Sequence, residues 1–461
     1  MYQEDTISAV TTPLGLGAVG IVRLSGPQSL AIAEKMFRSA SGKPLGAYPV
    51  RTMAYGTVRD EADAVVDEVL CVYMKAPHSY TAEDVVEFQC HGGPQSLRRI
   101  LALTWRYGAR AAEPGEYTRR AFLNGRIDLV QAESVMDIIN SKSAAALKSA
   151  VQQQEGVLSR KLKAIRKDLK DVIVHLEAVI DYPEEDIEDV TYPEVAGAIE
   201  RALAETDRLL QGAHTGLILK EGLRTAIVGR PNVGKSSLLN TLLREDRALV
   251  SEYAGTTRDV IEEQLVIGGV PILLADTAGI RDTEDYVEKM GVERSRALLE
   301  KAELVLVVVD AHTALTADDE AILTAAEGKN CLVALNKADL GVDPALRESL
   351  EARFGKDHVL AVSAKTGEGA EELEKWLQEF VYGSEGYVGD GVYLQNERQI
   401  DLLRRARENL ADAAAGAKER LPYDCLTIDV DAALSLMGEI TGETVRDEII
   451  NEIFARFCVG K

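Results

Sequence analysis

Cysteine is scarce in this chain of 461 residues. Its five thiols, Cys71, Cys90, Cys331, Cys425 and Cys458, stand far apart with no CxxC pair. That spacing argues against a disulfide framework and against a thiolate zinc site. The histidines form no HExxH pattern, which removes the zinc-protease class. Long apolar runs are missing too. The longest, LVLVVV at 304–309, is far short of the roughly 20 residues that span a bilayer. The opening MYQEDTISAV is acidic and polar, unlike a secretion signal. These features predict a soluble, cytoplasmic protein with no membrane association. Basic charge is in deficit: 52 Lys and Arg face 75 Asp and Glu, a net of −23. A surface of that sign repels nucleic acid, so a nucleic-acid role needs a local basic patch or a basic partner.

What is present predicts several domains with ample cores: 46% of residues are hydrophobic and 28% charged. Residues 1–118 read as α+β. GAVGIVRLSG, VLCVYM and DVVEFQC have strand character, and QSLAIAEKMF is an amphipathic helix. Residues 119–220 change to helix. Ile127 to Glu155 lacks Gly and Pro and carries apolar residues at helical spacing, and LSRKLKAIRKDLKDVIVHLEAVI continues the pattern. The acidic DYPEEDIEDV breaks it as a solvated loop. GAHTGLILKEG, at about 212–222, reads as a linker. Over 221–382 the strands TAIVG, PILLAD, ELVLVVVD, CLVALN and HVLAVS alternate with helical sequence, the pattern of a parallel α/β sheet. GSEGYVGDG at 383–391 reads as a second linker, and 383–461 returns to helix. The expected fold is thus multidomain α/β plus α, with an α/β domain inserted into a discontinuous helical one.

The inserted region carries a nucleotide signature. GRPNVGKS at 229–236 fits the phosphate loop GxxxxGK followed by Ser or Thr, between a predicted strand and helix. Asn232, Val233, Gly234, Lys235, Ser236 and Ser237 are its candidate nucleotide-binding residues. Lys235 suits the terminal phosphates and the Ser236 hydroxyl suits magnesium. DTAG follows at Asp276, Thr277, Ala278 and Gly279, where Asp276 can support the magnesium shell and Gly279 can sense the γ-phosphate. NKAD at 336–339 supplies Asn336, Lys337 and Asp339. The Asp339 carboxylate can accept both donors on the guanine edge, a pair that adenine lacks. SAK, at Ser363, Ala364 and Lys365, can support the base. Together they predict a GTPase. Position 280, where many small GTPases hold a water-orienting Gln, is Ile280. Hydrolysis then needs a group from elsewhere, with Arg281, Asp282, Glu284, Asp285 and Glu288 as candidates.

Further motifs carry a resemblance across nearly the whole chain. GAVGIVRLSG, TAEDVVEFQCHGG, EPGEYTRRAFLNGRIDLVQAE, AGTTRDVIEE, DTAGIRDTEDYVEKMGVERS and the final FCVGK resemble the MnmE (TrmE) family of bacterial tRNA-modification GTPases. The resemblance implies a tetrahydrofolate-binding N-terminal domain (1–118), a helical domain in two parts (119–220 and 383–461) and a GTPase domain (221–382). It implies potassium held by Asn232 and by the loop Ser251, Glu252, Tyr253, Ala254, Gly255, Thr256 and Thr257, with Ser251, Tyr253 and Thr256 as ligands. Thr257 becomes the second magnesium ligand beside Ser236. Glu288 becomes the catalytic, water-orienting glutamate, acting beside Lys235. Arg23, Glu87 and Arg126 map onto a site for 5,10-methylene- or 5-formyl-tetrahydrofolate. Arg126 stands where the family usually has lysine, so charge is kept and geometry changes. The implied assembly is a homodimer working with an FAD-containing MnmG-type protein, as a heterotetramer, on tRNA. The implied product is a carboxymethylaminomethyl-type group on C5 of the wobble uridine.

The ending FCVGK fits a prenylation box badly, because Gly460 is not aliphatic and Lys461 is an unusual last residue. Val445, Ile449, Ile453 and Phe457, with Ile450 and Phe454 alongside, predict a helix that anchors the segment. Its last four residues reach about 14 Å at most, and the resemblance places Cys458 and Lys461 at the folate site. A direct role of Cys458 in modification chemistry, even as a carbon carrier of a stand-alone aminomethyltransferase, stays open beside a plain packed thiol. So does the alternative of a GTP-dependent ribosome-assembly switch without modification chemistry.

Overall fold

The computed structural model describes residues 5–181, 192–245, 263–274, 299–383 and 393–461. The backbone divides into two compact units. One gathers 1–136, 154–166 and 431–461, and the other gathers 137–153 and 167–430.

In the first unit the strands are β1 (Ile7–Val10), β2 (Val19–Ser25), β3 (Phe37–Ser39), β4 (Met53–Arg59), β5 (Val65–Met74), β6 (Val85–His91) and β7 (Arg110–Ala111). They form one sheet in the order β3-β4-β5-β6-β2-β1-β7. Neighbours are antiparallel except β1 and β7. Side chains alternate between faces along each strand. Val22, Leu24, Phe88 and Cys90 therefore face the helices Ser29–Met36 and Pro94–Arg106, with Ile32, Met36, Leu97 and Ile100 in the same core. Arg23 and Glu87, directly paired across β2 and β6, point to the opposite face. There Tyr117, from the helix Glu116–Leu123, packs on Ile7 and Ala9.

The C-terminal helix Asp447–Ala455 belongs to this unit. Ile450, Phe454 and the following Phe457 are buried with Leu129, Ala132 and Val135, while Phe122, Val445 and Ile453 are only partly covered. The expected face of Val445, Ile449, Ile453 and Phe457 is thus shifted: the packed stripe centres on Ile450 and Phe454, and Ile449 lies outside the cluster.

The second unit holds β8 (Leu223–Val228), β9 (Glu263–Ile267), β10 (Val270–Leu274), β11 (Leu304–Asp310), β12 (Cys331–Asn336) and β13 (Val359–Ala361). Their order is β13-β12-β11-β8-β10-β9. All pairs are parallel except β9 with β10. The parallel strands are covered on both faces, so they read as unbroken apolar runs. All seven residues of β11 are buried. The edge strand β9 departs from the expected all-parallel pattern. It forms a hairpin with β10 through Gly268 and Gly269, at φ 55° and 77°, a conformation that glycine adopts freely.

Two helical readings change. The stretch from Ile127 to Glu155 contains two helices, Leu129–Asn140 and Ala144–Gln154. Ser143 accepts the Ala146 N–H at 3.1 Å, a side-chain cap that restarts the helix. GAHTGLILKEG is not a linker but the helix Ala213–Glu221, with Ile218 and Leu219 buried. Its Gly216 lies so close to the Leu394 carbonyl that a Cβ there would stand 1.9 Å from the oxygen. That glycine serves close packing, and Gly222 at φ 94° ends the helix. The expected acidic loop after Asp181 and the second linker after Gly383 lie outside the described residues. No helix among the described residues is long and apolar enough to cross a membrane.

Candidate functional site

Two constellations emerge, one in each unit. In the second unit, β8 runs into the loop 229–234 and then the helix Lys235–Glu245. Asn232 is held at φ 63° and Gly234 at φ 94°, left-handed conformations that turn backbone groups inward. Asn232, Ser236 and Ser237 are exposed at the loop and the first helical turn. Lys235 Nζ donates to the Gly229 and Arg230 carbonyls at 2.7 and 2.9 Å. Burial holds its ammonium below the usual lysine pKa, a penalty that an adjacent phosphate charge would offset.

Asn336 ties this loop to the other motifs. It is 1% exposed. Its Nδ2 donates to the Val233 carbonyl at 2.8 Å, and its Oδ1 accepts the Ala364 N–H at 3.0 Å. Ser363 Oγ donates to Asp339 Oδ1 at 2.8 Å, with Asp339 exposed. Thr241 Oγ1 donates to the Ala364 carbonyl at 2.7 Å. Segments about 100 residues apart thus meet at the carboxyl ends of parallel strands, where α/β sheets bind ligands. Lys337 sits at φ 66° and Lys365 is exposed. Ser251 to Thr257, Asp276 to Gly279, Ile280 and Glu288 lie outside the described residues.

In the first unit Arg23 Nε meets Glu87 Oε1 at 2.6 Å. The ring of Tyr80 gathers two cations: the Arg126 guanidinium lies 5.0 Å from its centroid and that of Arg23 lies 5.8 Å away. Both are within cation–π range. Tyr80 also shares a 2.9 Å hydrogen bond with Thr118. Tyr117 is fully buried, its ring 5.6 Å from the Arg23 guanidinium and its hydroxyl donating to the Arg23 carbonyl at 2.8 Å. Burial pushes that phenol's pKa well above its ordinary value, so it remains a donor.

The tail reaches the same place. Tyr117 N–H donates to the Lys461 carbonyl at 3.2 Å and Gly115 N–H to the Cys458 carbonyl at 3.3 Å, with a β-bridge between Pro114 and Val459. Gly460 stands at φ 96°, and a Cβ there would lie 2.6 Å from the Val10 carbonyl oxygen. Cys458 is exposed. The structure therefore brings Arg23, Glu87 and Arg126 together and joins Lys461 to them through Tyr117. Behind them, the buried Arg120 binds Asp5, Glu83 and Glu116. Burial alone would raise the Glu116 carboxyl, but hydrogen bonds from Arg110, the Glu113 amide and Arg120 hold it below the usual range.

The tyrosines escaped the sequence reading. A tyrosine beside a motif charge carries no signal until the fold stacks the two. Among the described residues, no cluster of three or more His, Cys, Asp or Glu side chains is arranged to hold a metal. The oxygen donors of the phosphate loop fit a hard cation with its remaining ligands supplied elsewhere.

Residues 6–126 match the model of the GTP-binding protein TrmE N-terminus, and residues 129–458 match that of the MnmE helical domain. The chain belongs to the MnmE family. It is 46% identical to the tRNA modification GTPase MnmE of Geobacillus thermodenitrificans, with all of both chains covered. Identity to MnmE of Latilactobacillus sakei is 47%, over 99% of this chain and 98% of that one. Among solved structures, the G domain of the T. maritima FeoB iron transporter covers 34% of this chain and 98% of its own, at 26% identity and a TM-score of 0.25.

Proposed function

We propose that this chain is a potassium-activated GTPase that works in modification of the tRNA wobble uridine. Membership of the MnmE family supports the GTPase and tRNA-modification parts of this reading. The observation that carries the nucleotide site is Asn336, whose one side chain fastens the phosphate loop to the segment 363–365. Lys235 and the loop amides bind phosphates, and Asp339, set by Ser363, reads guanine. Ser236 and Thr257 hold magnesium, which supplies charge neutralisation at the phosphates. Asn232, with Ser251, Tyr253 and Thr256, holds potassium. Glu288 orients the attacking water that Ile280 cannot.

In the first unit, Glu87 accepts from the donor edge of a pterin, and Arg23, Arg126 and Lys461 hold the polar ring atoms or the glutamate tail of methylene- or formyl-tetrahydrofolate. Cys458 takes part in the modification step. Segments 1–118, 119–220, 221–382 and 383–461 serve as folate, helical, GTPase and second helical parts. The partner is an FAD-containing MnmG-type protein, joined to a homodimer of this chain in the cytoplasm, and the product is a carboxymethylaminomethyl-type group on C5. Redox chemistry belongs to the partner, since the GxGxxG stretch of this chain, GLGAVG at 15–20, leads into strand β2 and not into a helix as a dinucleotide-binding loop would. Nucleoside analysis of tRNA from a deletion strain tests the proposal. It expects loss of the wobble modification. Unchanged uridine with defective ribosomal particles would favour an assembly switch instead.

A further inference from the structure

We infer that Asp310 is a positioning residue for nucleotide binding, one that acts through Lys337 to lock the base-reading turn beside the phosphate loop. The inference rests on the reading of residues 336–339 as a guanine site. Asp310 closes β11, the strand between β8 and β12, and pairs in register with Asn336. It therefore sits between the loop that leaves β8 and the turn that leaves β12. Its Oδ2 accepts from Lys337 Nζ at 2.7 Å and its Oδ1 accepts the His312 N–H at 3.1 Å. The carboxylate side chain is 9% exposed and that of Lys337 is 35% exposed.

Arg230, in the phosphate loop, supplies a second cation. Its guanidinium is anchored on Thr313 Oγ1 at 2.6 Å and on Asp319 at 3.3 Å. Burial alone would raise the Asp310 carboxyl. The Lys337 and His312 hydrogen bonds, with the charges of Lys337 and Arg230, hold it below the ordinary range. Its carboxylate thus faces cations from both loops.

Asn336 and Lys337 are adjacent and hold in two directions. Asn336 fastens the turn to the phosphate loop; Lys337 fastens it to the end of β11. Lys337 is also in the left-handed conformation, which leaves few alternative backbone arrangements for the turn. Among the described residues Asp310 is the charged partner of Lys337, so without it the turn that carries Asp339 loses its tie to β11 and keeps those made through Asn336 and Ser363. A ligand must then order the turn at its own expense.

The test uses the full chain and calorimetric titration with GDP. Asp310→Asn keeps the side-chain shape and an acceptor oxygen but removes the charge. It should weaken GDP binding about tenfold, the scale of a charge-assisted hydrogen bond, and leave kcat at saturating GTP within about twofold. Lys337→Met should weaken binding at least as much, and the double variant should be no worse than Lys337→Met alone. Lys337→Arg keeps the ion pair and should retain affinity to within about threefold, a readout independent of whether Asp310→Asn folds. Undiminished GDP affinity in Asp310→Asn, additive losses, or a Lys337→Arg loss as large as that of Lys337→Met would each overturn the inference. A parent chain that binds GDP no better than ADP would instead overturn the guanine reading of the turn.

Discussion

Tyr117 donates its backbone N–H to the Lys461 carbonyl at 3.2 Å while its hydroxyl donates to the Arg23 carbonyl at 2.8 Å. One buried residue thus joins the last turn of the chain to the arginine that pairs with Glu87. Removal of residues 458–461 should weaken binding of 5-formyl-tetrahydrofolate and lower wobble-uridine modification, with GTP hydrolysis nearly intact. Cys458→Ser should lower modification alone. Normal modification by the truncated protein would sink both expectations.

Glu87→Ala leaves Arg23 without its 2.6 Å partner on a mostly covered sheet face. Calorimetry on the full chain should show loss of formyl-tetrahydrofolate binding by at least about tenfold, since a carboxylate that accepts ring donors makes strong hydrogen bonds. The full chain is needed because Arg126 lies beyond residue 118. Parent-like affinity in the variant would refute the site.

Gly234→Ala would place a Cβ 2.3 Å from Asn336 Nδ2, at φ 94°. Strain of about 1–3 kcal/mol would push Asn336 off the Val233 carbonyl. GDP affinity should fall by at least tenfold, with the folate site unaffected. Titration of the two ligands against one preparation checks this, and equal losses at both sites would point to general unfolding.

Replacing sodium by potassium at constant ionic strength should raise the GTPase rate, and Asn232→Ala should erase the difference. Glu288→Ala should slow hydrolysis by roughly 10²-fold, the scale of a water-orienting group, with little change in affinity. Equal rates in both salts contradict the cation site. Parent-like turnover of the Glu288 variant contradicts the glutamate.

Acid should loosen the first unit. Asp5 and Glu116 both have carboxyl pKa values below the ordinary range. Burial acts the other way and is overcome, chiefly by hydrogen bonds from Arg110 and Arg120. A depressed carboxylate contributes stability that is complete above its unfolded pKa, near 4, and is lost as pH falls through the folded value. The thermal midpoint should therefore drop as pH falls below about 4. Glu116→Gln should show a shallower drop than the parent, and identical slopes would rule out the carboxylate as the cause.

Much of this was legible from residues alone. The run ELVLVVVD announces a strand buried on both faces, and β11 is one. GRPNVGKS places its lysine at a helix start, where it stands. Hidden were features that depend on distant partners. GAHTGLILKEG looks like a linker because two of its glycines suggest breaks, yet Gly216 exists to admit the Leu394 backbone. Tyr80 looks like any loop tyrosine until two arginines close on its ring. Asp310 looks like the polar end of an apolar strand until Lys337 arrives 27 residues later.

The pairing of Tyr117 with Lys461 also sets an order of events during synthesis. Arg23, Glu87 and Arg126 leave the ribosome early, while Lys461 follows Arg126 by 461 − 126 = 335 residues. At about 5–20 residues per second, this early group of side chains waits roughly 20 to 70 s for the segment that carries Lys461. Over that interval the edge formed by Pro114, Gly115 and Tyr117 has backbone groups with no strand to meet. A nascent chain must carry that open edge through the synthesis of the whole nucleotide-binding region.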